Sequence, residues 1–131
     1  MAASFFAPTE PEADAFLTAY FGEPVDAYRR ARFFLMTQLL HVSYVAIFAM
    51  LAARAGHTGT PDTPVPAFGA YQGRIVAGDV DLGRPEAMHM YAHVHLHRAL
   101  EQMQSARFAE AIALVGARHQ SRHASPKEAS L

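Results

Sequence analysis

An all-α fold follows from three observations on the 131-residue sequence. Apolar residues recur at helical spacing in four segments, cap and stop residues bracket those segments, and the uncharged stretch Phe33 to Ala53 reads as one central helix, apolar on nearly every side. The length suits one domain of ordinary size, and 51% hydrophobic content argues for a packed core rather than disorder. Eleven basic and twelve acidic side chains give a formal charge of −1, so no global field attracts nucleic acid or an anionic membrane. Charged residues reach only 18%, below the roughly 25% usual for soluble domains. That deficit points to unusual burial.

The first helix opens at Thr9-Glu10-Pro11-Glu12, which fits a capping box with Thr9 as N-cap. Ala13, Phe16, Leu17, Tyr20 and Phe21 supply its apolar face, and Gly22 stops it. The second helix is expected from about Pro24 to about Arg54, ended by Gly56. Twenty-one uncharged residues, Phe33 to Ala53, follow Arg29, Arg30 and Arg32. Residues 56–69 (GHTGTPDTPVPAFG) form a loop, and residues 70–84 are compatible with a short helix or a strand. The third clear helix runs from Pro85 to about Gln104 with Met88, Ala92, Leu96, Ala99, Leu100 and Met103 on its apolar face. Ser105 is the expected N-cap of the fourth, which carries Phe108, Ile112 and Val115 to about Gly116. The expected organisation is one helical domain over 1–118 and a polar, disordered tail over 119–131.

The uncharged stretch is long enough to cross a membrane, and three preceding arginines would set its N-terminus on the cytoplasmic side. Thr37, Gln38, His41 and Ser43 oppose that reading, because polar groups are costly in hydrocarbon. Arg30, Thr37, His41 and Tyr44 fall within about 60° on a helical wheel. A polar stripe of this kind suits a protein interior bordering a pocket better than a lipid-facing span. His41 itself reads as a satisfied core histidine rather than a catalytic base.

Residues 89–97 read HMYAHVHLH. His89, His93 and His97 follow i, i+4, i+8, and an i, i+4 pair can chelate a divalent metal such as Zn or Ni. All three cannot share one ion, since His89 and His97 lie about 12 Å apart along the axis. Glu86, Glu101 or a second chain would have to complete the site. His95 points elsewhere on this reading, and His119 and His123 form a further i, i+4 pair in the tail. Cysteine is absent, which excludes disulfides, thiol catalysis and thiolate metal sites. Phosphate-cradling and nucleophile-elbow motifs are absent too, so nothing supports independent catalysis. Residues 1–8 carry no secretory pattern, and the default address is cytoplasmic, with the membrane as alternative.

Residues 10–23 (EPEADAFLTAYFGE), 28–51 (YRRARFFLMTQLLHVSYVAIFAML) and 91–115 (YAHVHLHRALEQMQSARFAEAIALV) resemble the C-terminal helical region of the aminoglycoside phosphotransferase and choline kinase-like superfamily. The resemblance implies an acceptor-binding helical subdomain whose long apolar helix lies beneath a catalytic core. The family's nucleotide-gripping lysine, its H-x-D-x-x-x-x-N loop and its metal-binding aspartate have no counterpart here, so no catalytic residue carries over. The chain would begin just after that aspartate, and would be a remnant, a misassigned start or one half of a split protein. Asp14, Tyr20, Thr37, His41 and Tyr44 are the polar candidates for a pocket on apolar helices. The expected partner is a second copy of the chain or a missing kinase-like chain.

Overall fold

The computed structural model describes residues 10–124. Among these residues there are five helices and no strand: α1 (Glu10–Phe21), α2 (Ala27–Arg54), α3 (Phe68–Val76), α4 (Pro85–Met103) and α5 (Ala106–Ala124). The protein is all-α, with one long apolar helix. Contacts divide it into two compact units, Met1–Thr37 with Ser105–Leu131, and Gln38–Gln104.

Local chemistry explains where each helix begins and ends. Gly22 adopts φ 71° and its N–H bonds the Thr18 carbonyl, which terminates α1. Thr9, the expected cap of α1, lies outside the described residues. Helix α2 begins at Ala27 rather than near Pro24, because Asp26 is its cap: the Asp26 carboxylate accepts the Arg29 N–H at 2.8 Å. At its other end the His57 N–H bonds the Ala52 carbonyl and the Gly56 N–H bonds that of Ala53, both at 3.0 Å. This is a Schellman motif with Gly56 at φ 90°.

The segment left ambiguous by sequence is helical. Helix α3 closes with a second Schellman motif, the Asp79 N–H on the Arg74 carbonyl and the Gly78 N–H on that of Ile75, with Gly78 at φ 83°. Asp81 then makes the turn into α4, accepting the Gly83 N–H at 2.9 Å. Pro85 occupies the first turn of α4, where its missing N–H costs nothing. The hydroxyl of Ser105 accepts the Phe108 N–H at 3.3 Å and starts α5.

Helix α5 passes through Gly116 and ends at Ala124, eight residues beyond the expected stop. An interior glycine costs only about 1 kcal/mol. The added turns are tied down by Arg118, whose guanidinium lies 4.0 Å over the Tyr28 ring. Residues 119–124 of the expected tail are therefore helical, and 125–131 lie outside the described residues.

In the first unit Ala31, Phe34 and Ala111 form the core with Leu35, Phe108 and Val115 packed on it. Arg107 lies 4.2 Å over the Phe34 ring. In the second unit Tyr71, Tyr91 and Val94 form the core, enclosed by Phe48, Val65, Phe68, Ile75, Val80, Leu82 and Met90. The covered positions of α2 repeat at three and four residues: Ala31, Phe34, Gln38 and His41 are buried, Val45 and Phe48 half-buried, and Ala52 buried.

Candidate functional site: a buried histidine pair and a surface histidine clasp

The second unit holds two histidine arrangements of opposite character. His41 on α2 and His95 on α4 are 2% and 0% exposed, and their Nδ1 atoms stand 2.8 Å apart. With both rings neutral, one Nδ1–H must donate and the other Nδ1 must accept. Aromatic rings enclose the pair. Tyr44 stacks on His95 at 5.0 Å and 12°, and Tyr91 meets it edge-on at 4.3 Å. Phe68 stands 5.2 Å from both imidazoles.

One turn before His41 the Gln38 and Gln102 side-chain amides meet, and with the Gln102 oxygen turned to the Arg98 guanidinium, at 2.8 and 3.1 Å, its amide nitrogen faces Gln38. Two tyrosines of this core are anchored by their hydroxyls. Tyr91 donates to Gln72 at 2.9 Å and Tyr71 to the Ala87 carbonyl at 3.0 Å. Burial raises both phenols above the usual tyrosine value.

Burial also sets the charge state of the pair. Desolvation first, and Arg98 second, lower His41 to about 4. Desolvation first, and His41 second, lower His95 to about 3. Both imidazoles are neutral at physiological pH. The arrangement is closed to solvent and serves as a polar pin between α2 and α4.

The surface arrangement lies on the outer side of α4. His89 and His93, one turn apart, both direct Nε2 at the Gly59 carbonyl at 2.9 Å, clasping the loop between α2 and α3. His57 of that loop lies beside His89 with ring centroids 6.0 Å apart, and its Nε2 is 3.8 Å from the Glu86 carboxylate. His97 is exposed and takes no part. Among the described residues no three histidines, aspartates, glutamates or cysteines are placed to hold one metal ion. Coordination by His89 and His93 would first have to release Gly59.

The five pocket candidates are divided between the two units. Asp14 is ion-paired with Arg30 at 2.9 Å. Tyr20 is 74% exposed, and the Thr37 hydroxyl donates to the Phe33 carbonyl of its own helix at 2.9 Å. These three belong to the first unit. His41 and Tyr44 belong to the second, where they meet around His95. Sequence sets His95 apart from the histidine stripe without giving it a partner, and does not single out His57. His95 had a signal: it lies four residues after Tyr91 and four before Ala99, on the face that α4 buries. His57 had none, because only the course of the loop brings it to His89.

An open cleft of about 540 Å³ in the second unit is bordered by Tyr71, Arg74, Asp79, Asp81, Arg84 and Glu86, charges of both signs. Neither a family model, nor a curated protein, nor a solved structure matches the chain.

Proposed function

We propose that the chain is a non-catalytic helical module that works covered by further protein, as a fragment, split subunit or interaction module of the phosphotransferase type it resembles. The observation that supports this most is the uncovered face of α2. While one stripe of that helix packs inward, Leu39 is 68% exposed, and Val42, Ile47 and Met50 stand open near half of their surface. No charge interrupts Phe33 to Ala53. Contiguous apolar surface of this kind marks an interaction site more often than a solvent face.

Two measurements on purified, untagged protein test the reading. Titration with Mg·ATP is expected to give no saturable binding, and size-exclusion chromatography with light scattering is expected to show association. Saturable Mg·ATP binding overturns the non-catalytic assignment. A strictly monomeric chain that binds no apolar-surface dye overturns the covered face.

A second reading, a single-pass membrane subunit spanning about residues 33–53, is favoured by one feature. Helix α2 is 28 residues long, and only 17% of its most apolar window is buried. Against it, Gln38 and His41 are engaged by α4 partners on the same helix. Recovery in the soluble fraction without detergent removes the membrane reading and leaves the first intact.

A further inference from the structure

The first unit carries a groove that the reading above does not use. Four aromatic rings meet where the C-terminal half of α1 faces the start of α2. Phe16 lies 5.9 Å from Phe33 and 6.5 Å from Tyr20, and Tyr20 meets Phe21 edge-on at 5.1 Å. With Leu17 and Met36 they line a groove of about 360 Å³, and Arg29 and Arg32 stand on its rim. That volume lies at the lower end of small-molecule sites, and predominantly apolar walls with few polar groups are the usual make-up of such sites.

The three arginines that open α2 are not equivalent. Arg29 is paired with Glu23 at 2.8 Å and lies 4.3 Å over the Phe21 ring. Arg30 is paired with Asp14 at 2.9 Å. Arg32 lies 5.8 Å from the Tyr28 ring, is exposed, and has no carboxylate partner among the described residues. Among the described residues the groove therefore combines an apolar floor with one arginine, Arg32, that has no carboxylate partner. A ligand that complements both brings an apolar body and one negative group. A dianion would leave one charge without a partner, and a cation would face Arg32 directly.

We propose that this groove binds a small monoanionic amphiphile, a medium-chain or aryl carboxylate whose apolar body lies on Phe16, Tyr20, Phe21 and Phe33 with its carboxylate on Arg32. Open on one side, the groove holds such a ligand weakly, and the sign of the ligand's charge decides whether it binds. The proposal is independent of what covers α2 further along, since none of its residues lies in the second unit.

The test uses decanoate, decanol and decyltrimethylammonium, each below micelle formation, followed by backbone amide NMR shifts on the whole chain. Saturable shifts from decanoate are expected at residues 16–21 and 29–36, with the ammonium analogue far weaker. Arg32→Gln is expected to weaken decanoate about fivefold, the size of one exposed charge-assisted contact, and to leave decanol unchanged. Tyr20→Ser, at a position too exposed to endanger folding, is expected to weaken both. Equal binding of the carboxylate and the ammonium, indifference to Arg32→Gln, or shifts centred on residues 39–50 would overturn the proposal. Binding of an acidic amphipathic peptide without binding of decanoate would overturn it in favour of a protein partner. None of these outcomes bears on Mg·ATP binding or association, so failure here is distinguishable from failure of the functional reading.

Discussion

His41 with His95, and His89 with His93, are the same side chain used in opposite ways. The first pair lies in a dry aromatic enclosure, where each ring is held neutral and removal of one takes away the other's Nδ1 partner. The second pair lies at the border of α4, and its role is to hold Gly59. Histidine content therefore says little by itself. The side of the helix on which a histidine falls decides whether it is a structural pin or a surface clasp.

The sharpest way to break this comparison is to truncate one ring from each pair. His95→Ala opens a cavity and removes the Nδ1 partner of His41, and is expected to cost about 4 kcal/mol in urea unfolding. His93→Ala should cost well under half of that. Equal costs would erase the distinction.

Acidification is expected to come next. Both buried rings have folded-state values below the ordinary histidine value of 6.5. Above 6.5 folded and unfolded chains are alike neutral, and stability does not depend on these groups. As pH falls below 6.5 the unfolded chain takes the protons first, so stability declines down to about 4 for His41 and about 3 for His95. At pH 5 both rings still contribute to the decline. His95→Gln should remove a substantial part of the fall in urea midpoint between pH 7 and pH 5. An unchanged pH profile in that variant would show that the pair does not control it.

A smaller effect is expected at the clasp. His89→Ala with His93→Ala should cost about 1 kcal/mol globally. It should raise amide exchange and proteolytic cleavage across residues 55–67 much more than elsewhere, while α3 and α4 keep their protection. Smallest of all, Leu39→Lys on the open face of α2 should change monomer stability by no more than about 0.5 kcal/mol. Its effect should appear in light scattering as a lower associated fraction.

Four of the five helices were legible from periodicity and from single residues: Gly22, Pro85 and Ser105 act where sequence reasoning places them. Helix α3 was ambiguous because Gly69 and Gly73 weaken its helical signal, and tertiary packing of Tyr71 and Phe68 settles it. The end of α5 was misplaced because Gly116 looks like a stop, whereas Arg118 on Tyr28 supports the turns beyond it. The apolar face expected of α4 runs through Met88, Ala92, Leu96, Ala99, Leu100 and Met103, of which Ala92 and Ala99 are buried. Leu100 is exposed, and the buried side runs through Tyr91, Val94, His95 and Ala99. A histidine between histidines reads as polar, and the partner that makes His95 a core residue sits 54 positions earlier in the chain. Such pairings are set by how α2 and α4 face each other, which local pattern does not encode.

The contact between the two Nδ1 atoms has a spectroscopic consequence. It joins like atoms, yet one carries a hydrogen and the other a lone pair, so the interior must hold one imidazole in each tautomeric form. Ring-nitrogen spectra of neutral protein should therefore resolve two histidines of unlike tautomer that remain unlike well below pH 6.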